Sequence, residues 1–448
     1  LDAAHAAKKE WGSTSPAVRA EILNKIADRM QENFELLAVA ETWENGKAIR
    51  ETLAADIPLA IDHFRYFAGV ARTQEGRISQ IDDNTVAYHF KEPIGVVGQI
   101  IPWNFPILMA AWKIAPALAA GNYIVLKPAE QTPASLLVVI ELIEDLLPPG
   151  VLNVVNGLGE EAGAALTATN RIGKIAFTGS TAVGKIIHQA VSDKIIPITL
   201  ELGGKSPSIF FPDVMDKDDA FRAKCIEGLA MFALNQGEVC TCPSRALVHE
   251  SIAEEFLELA VQKVKEIKTG NPLDTDTMMG AQASTEQMEK ISSYLESGPA
   301  EGAEVLTGGK VAKFDGLEGG YYIEPTIFKG DNTMACFREE IFGPVVAITP
   351  FDTDEQALEL ANNTRYGLAA YVWTSDLKRA HNFAQNVEAG MVWLNSNNVR
   401  DLRTPFGGVK ASGLGHEGGY RSIDFYTDQQ AVHINLGKVH NPVFGKQD

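Results

Sequence analysis

The stretch Ile94-Gly95-Val96-Val97-Gly98-Gln99-Ile100-Ile101, followed at once by Pro102-Trp103-Asn104-Phe105-Pro106, decides how the chain is read. Its near-continuous apolar character, closed by a proline, predicts a strand buried on both faces. Tyr123–Lys127, Leu152–Val155, Lys174–Phe177 and Ile198–Leu202 repeat the pattern. Helix-like segments such as Ala134–Leu147 and Ala182–Val191 lie between them. Apolar strands alternating with helices predict a parallel sheet covered on both faces, an α/β arrangement. Such sheets bind ligands at the carboxyl ends of their strands.

Toward the N-terminus, Val18–Ala27 and Phe34–Glu44 space their apolar residues by three and four, which predicts helices. Ile78–Ile81 and Thr85–Phe90 predict a hairpin turning at Asp82-Asp83-Asn84. Toward the C-terminus a second alternating unit begins with a strand at Ser208–Phe211. Phe221, Cys225, Leu229 and Phe232 then mark one helix face. Val346–Thr349, Ala369–Trp373 and Met391–Leu394 predict further strands, and Ala431–Leu436 an edge strand able to join a partner chain. No repeat, low-complexity tract or long linker divides the chain, so two units sharing one body with a cleft between them are expected.

At 448 residues the chain is longer than one growing core allows, and two or three domains are expected. A net charge of −19 argues against a nucleic-acid partner, which would need clustered positive charge. Four cysteines in this length make no disulfide framework and suit a reduced, cytoplasmic protein. The longest apolar stretch, Pro106 to Ala120, is interrupted by Lys113 and Pro116 and is too short to span a bilayer, so no membrane partner is expected. The chain starts at Leu1, and a segment before it is left open.

Four segments carry chemistry. Asn235-Gln236-Gly237-Glu238-Val239-Cys240 places a thiol just past the Phe221–Phe232 helix, where a turn could hold it at a cleft. A thiolate attacks carbonyl carbon well if its pKa is lowered or a base stands near. A lone cysteine is as often inert packing, and Cys242 has the same claim on composition. No second cysteine or histidine pair at ligand spacing supports a metal. Leu200-Glu201-Leu202-Gly203-Gly204-Lys205 ends a strand on a carboxylate, either a general base whose pKa burial raises or a structural partner of Lys205. In Pro102-Trp103-Asn104-Phe105 the Asn104 amide could donate to an oxyanion, or simply hold a turn. Phe177-Thr178-Gly179-Ser180-Thr181-Ala182-Val183-Gly184 runs from strand to helix, where free N–H groups suit a pyrophosphate, though the spacing is not G-x-G-x-x-G.

With Glu340-Ile341-Phe342-Gly343-Pro344, these segments resemble the aldehyde dehydrogenase superfamily in content and in order, over essentially the whole chain. The resemblance implies a Rossmann-like nucleotide-binding domain at 1–73 and 94–202, and an α/β catalytic domain at 203–425. It adds a small β oligomerisation element at 74–93 and 426–448, giving a homodimer or homotetramer. It implies Cys240 as nucleophile, Glu201 as the base for the deacylating water and Asn104 as oxyanion donor. Ile101, Trp103, Lys127, Glu130, Gly179, Ser180, Glu340 and Phe342 would hold the cofactor, with Lys113 and Glu417 in a proton relay. The cofactor implied is NAD in preference to NADP, because the Glu130 carboxylate suits ribose hydroxyls and repels a 2′-phosphate.

Residues 1–334 resemble the acetaldehyde and aliphatic aldehyde branch. Residues 335–448 resemble hydroxymuconic semialdehyde dehydrogenases, through Asn398-Val399-Arg400-Asp401-Leu402-Arg403-Thr404-Pro405-Phe406-Gly407-Gly408. The chain thus reads as a recombinant or chimera of two branches, or as one natural sequence with mixed features. The small-molecule substrate implied is an aldehyde, bound by Phe105, Trp112 and Leu234 with Phe406 at the mouth. The Arg400–Arg403 loop lies at that mouth too, and an arginine there can grip a distal carboxylate; Arg403 is the expected grip, and either arginine could instead only pair with Asp401. A cofactor-independent thiol esterase and a catalytically inactive structural relative are the competing readings.

Overall fold

The computed structural model of the protein describes residues 1–437. Six strands form one sheet, in spatial order Gly413–Leu414, Ile198–Glu201, Lys174–Thr178, Val96–Ile100, Tyr123–Lys127 and Leu152–Val154. Every neighbouring pair is parallel except the first. Val96–Ile100 is buried throughout, as its unbroken apolar run requires. The Pro106–Ala120 helix is likewise buried at every position, Lys113 included. Its Pro116 is carried inside the helix without ending it.

A second sheet of seven strands runs Glu304–Thr307, Thr326–Lys329, Val345–Phe351, Arg245–His249, Pro207–Phe210, Ala369–Trp373 and Met391–Leu394. All of its pairs are parallel but the first. The third sheet has three antiparallel strands, Arg77–Asp82, Thr85–Pro93 and Thr427–Asn435.

Beyond small shifts in strand bounds, the outcome differs from the sequence reading at several elements. The terminal strand begins at Thr427, four residues early, and pairs with Thr85–Pro93 of its own chain. The oligomerisation element assigned to 426–448 therefore lies partly within the described sheet, and 438–448 fall outside the described residues. The helix expected to reach Leu147 ends at Ile143 and continues as a 3-10 turn over Glu144–Leu146. The Phe221–Phe232 helix ends at Ala230 and passes into a 3-10 segment over Met231–Gly237, within which Leu234, Asn235 and Gln236 leave helical geometry. Gly413–Leu414, within 203–425, is hydrogen-bonded into the first sheet.

Candidate active site

The loop that carries Cys240 is shaped by backbone that few residues adopt. Asn235 and Gln236 have φ of 49° and 55°, and Gly237 has φ of 74°. A Cβ on Gly237 would lie 2.0 Å from the Gly343 carbonyl oxygen, so only glycine lets the two chains cross there. Three hydrogen bonds fix the turn. The Asn235 N–H donates to Glu51 Oε1 at 3.1 Å. Asn235 Nδ2 donates to the carbonyls of Asn104 at 3.3 Å and Glu238 at 3.2 Å.

Asn104 comes to the same place from the first sheet, at the carboxyl end of Val96–Ile100. Its Nδ2 donates 2.8 Å to the Glu238 carbonyl, two residues before Cys240. Glu201 arrives at the carboxyl end of Ile198–Glu201. Cys240, Glu201 and Asn104 line one cavity of about 370 Å³. The topology explains this, since parallel strands deliver their carboxyl ends to a common edge.

The electrostatics separate the roles. Burial pushes the Cys240 thiol up to about 12; Glu201 and Glu340 add to this, while Arg400 acts against it. At rest the sulfur therefore holds its proton and needs a base to lose it. Burial also lifts Glu201 to about 8, and the Glu417 carboxylate adds to the effect. Lys113, bonded to Glu417 at 2.8 Å, acts the other way. One Glu201 oxygen is 3.5 Å from the Thr178 hydroxyl, and the other has no partner among the described residues. A carboxyl that titrates near neutrality and keeps a free oxygen can take a proton from water. Cys242 is different: it is buried and its thiol donates to the Phe232 carbonyl at 3.4 Å.

Of the expected cofactor residues, Trp103, Gly179, Ser180, Glu340 and Phe342 line this cavity. Trp103 and Phe342 meet edge to face at 5.4 Å. Glu340 Oε1 accepts the Gly204 N–H at 2.8 Å. A Cβ on Gly203 would fall 2.1 Å from the Glu340 carboxylate, so bare backbone is what admits that carboxylate. Ser180 caps the Thr181–Val191 helix by accepting the Val183 N–H at 3.3 Å. Lys127 and Glu130 lie outside the cavity and pair with each other at 2.5 Å, Glu130 on the surface. Ile101 is 3% exposed, with its N–H on the Lys127 carbonyl, so it supports the strand end and touches no open space. The groups on the first sheet suit a dinucleotide: they stand at the carboxyl ends of three parallel strands, with a capped helix N-terminus and an acidic surface group, while Glu340 and Phe342 face them from the loop before Val345–Phe351.

Phe105, Leu234 and Phe406 line the same cavity. Trp112 does not; it lines a neighbouring chamber of about 280 Å³, packed against Phe406 at 5.0 Å. Arg403 is misplaced by the sequence reading. Its side chain is 79% exposed and its guanidinium grips both oxygens of Asp401, at 2.8 and 2.6 Å. The arginine at both cavities is Arg400, stacked 4.5 Å over the Phe406 ring and 5.5 Å from that of Trp112. Among the described residues no hydrogen bond or ion pair occupies its guanidinium. The sequence also missed Glu51, Gln287 and Lys290 in the cavity wall. Nothing in their local pattern marked them, since each lies on a helix or helix end remote from the motifs.

The pattern that defines the aldehyde dehydrogenase family matches residues 1–432. This chain belongs to the aldehyde dehydrogenase family. It is 64% identical over 427 residues to an aldehyde dehydrogenase of Paracoccus denitrificans, covering 95% of this chain and 84% of the relative. It is 61% identical to acetaldehyde dehydrogenase 2 of Cupriavidus necator, with the same coverage. Among solved structures, an aldehyde dehydrogenase of Bacillus cereus in complex with NAD+ superposes with a TM-score of 0.93 at 41% identity, covering 97% of this chain and 88% of that one.

Proposed function

We propose that the protein oxidises an aldehyde to a carboxylic acid with NAD, through a covalent intermediate on Cys240. The observation that carries the reading is the meeting of Cys240, Glu201 and Asn104 at one cavity, with the Asn104 amide anchored on the Glu238 carbonyl of the loop that carries Cys240. The Cys240 sulfur, once deprotonated, adds to the aldehyde carbon. The oxygen that becomes negative needs fixed donors, and the Asn104 Nδ2 and the Cys240 N–H supply them. Bound NAD would accept the hydride. Glu201 then takes a proton from water, which attacks the thioester and frees Cys240. Trp103, Gly179, Ser180, Glu340 and Phe342 would hold the nicotinamide half and the phosphates, and Lys127 and Glu130 the adenosine ribose. Mixing protein, NAD and an aldehyde should raise NADH absorbance. Ester cleavage without NAD as the main activity would favour a thiol esterase, and no turnover an inactive relative.

The preferred substrates we propose are short aliphatic aldehydes together with aldehydes that carry a distal carboxylate. The unpaired Arg400 guanidinium at the junction of the two chambers supports this, in place of Arg403. The two-branch resemblance of 1–334 and 335–448 remains part of that proposal, since Arg400 belongs to the second segment.

The three sheets support the division into a nucleotide-binding domain, a catalytic domain and a β element, with Gly413–Leu414 reaching across. Thr427–Asn435 is an edge strand of the third sheet, and pairing there between copies would give the dimer or tetramer. Light scattering at graded concentrations measures the subunit count. Among the described residues no helix is long and apolar enough to cross a membrane. Four free cysteines suit a reducing compartment, and the cytoplasm is our assignment.

A further inference from the structure

A buried charge cluster lies against the catalytic cavity, which its Asp56 helps to line, and the chemistry above makes no use of it. Lys47 is wholly buried. Its Nζ donates to Asp56 Oδ2 at 2.7 Å and to the backbone carbonyl of Asn104 at 2.7 Å. It also lies 3.6 Å from Glu41 Oε1 and 4.0 Å from the centre of the Phe105 ring. Burial pulls the amine down, but Asp56 and Glu41 outweigh it, and its pKa stands above the ordinary value. Glu41 itself is pushed up to about 8, by burial and by Asp56. The cluster is thus one buried ammonium held between the Asp56 and Glu41 carboxyls.

The neighbours of Lys47 grip the same backbone. Asn45 Nδ2 donates to the Trp103 carbonyl at 2.8 Å, and Glu41 Oε2 accepts the Ile107 N–H at 2.9 Å. One helix end thus holds Trp103, Asn104 and Ile107, a stretch of five residues around Asn104. The Asn104 carbonyl receives two donors, Lys47 Nζ and Asn235 Nδ2, so its peptide plane has one orientation. The amide side chain departs from that plane toward Glu238 and the Cys240 loop. Burying a cation costs several kcal/mol unless it is paired, and a fold gains little from such a pair compared with apolar packing. What the pair supplies here is a charge-assisted, directional hold on one carbonyl.

We propose that Lys47 is a positioning residue for Asn104, fixing the direction from which that amide meets the oxygen of the substrate. The inference rests on the oxyanion role assigned to Asn104 above.

The test compares Lys47→Met/Asp56→Asn with Asp56→Asn alone. The double variant removes the charge together with its counter-charge, and methionine fills the volume, so no buried charge is left unpaired. Lys47→Gln/Asp56→Asn, which keeps two amides able to bond each other, is the second variant. Hydride transfer is read in single-turnover mixing as the appearance of NADH. NAD affinity is read by quenching of protein fluorescence. Losing an oxyanion donor outright costs about 10²–10³ in rate. A donor left in place but misaimed should cost about tenfold or more, with NAD affinity within about twofold. In an Asn104→Ala background the same change should cost less than about twofold, because no donor is left to aim. An equal loss in both backgrounds, or no loss in either, would overturn the role of Lys47. Asn104→Ala with an ordinary rate would overturn the oxyanion reading itself, and the role of Lys47 with it.

Discussion

Replacing Arg400 by leucine separates two kinds of substrate. The Arg400 guanidinium lies over the rings of Phe406 and Trp112 at the junction of the two chambers, without a carboxylate partner among the described residues. A distal carboxylate arriving there meets donors that need not leave another acceptor. Such a charge-assisted bond contributes about 1.5–3 kcal/mol, which is roughly 10- to 150-fold in affinity. Arg400 also lowers the thiol pKa of Cys240, so its loss should slow every aldehyde somewhat. That shared effect cancels in a ratio. The assay is therefore kcat/KM for a semialdehyde acid divided by kcat/KM for a neutral aldehyde of equal length. Arg400→Leu should lower this ratio about tenfold or more, chiefly through KM for the acid. Arg403→Leu should leave it nearly unchanged, since Arg403 is exposed and committed to Asp401. An unchanged ratio in Arg400→Leu, or a larger fall in Arg403→Leu, would refute the reasoning.

Other perturbations address the remaining parts. Cys240→Ala should abolish turnover and spare NAD binding, measured by fluorescence quenching, whereas Cys242→Ala should keep most activity because its thiol only bonds the Phe232 carbonyl. Glu130→Gln should narrow the preference for NAD over NADP, since a carboxylate facing a 2′-phosphate costs on the order of 1–3 kcal/mol; kcat/KM with both cofactors reads it. Hydrolysis of the thioester needs Glu201 as the carboxylate, so the deacylation rate should fall as pH drops through about 8. Glu417→Gln removes a charge that raises the Glu201 pKa and frees the Lys113 ammonium that lowers it, so that limb should move to lower pH. A limb that stays put or moves up would contradict the coupling.

Much of this was legible in the sequence because burial on both faces leaves a simple mark. Tyr123–Lys127 and Ala369–Trp373, buried at every position, have the bounds their apolar runs predict, and so does the half-buried edge strand Met391–Leu394. The strand Arg245–His249, central to the seven-stranded sheet, was missed because it opens on an arginine and closes on a histidine. Arg245 is only 1% exposed; its charge is satisfied by the carbonyls of Lys205, Leu360 and Ala361, partners no local pattern reveals. Glu304–Thr307 is a short edge strand that is half exposed, and Thr326–Lys329 is buried but only four residues long, opening on a threonine and closing on a lysine. In the site, motifs at strand ends could be read, since a strand fixes where its last residue points. Arg400 and Arg403 could not be told apart, as both sit in one loop. The choice was made by Asp401, which closes on Arg403 two residues away and leaves Arg400 to the cavities.

The central claim is that Cys240 carries the acyl group and Glu201 releases it. Glu201→Gln, mixed with NAD and an aldehyde and quenched within the first turnovers, should give a burst of NADH followed by slow turnover. Mass spectrometry of the digested protein should then find the mass of the acyl group on the peptide that holds Cys240, and on no other. Absence of that adduct despite a burst, or an adduct on a different cysteine, would contradict the account.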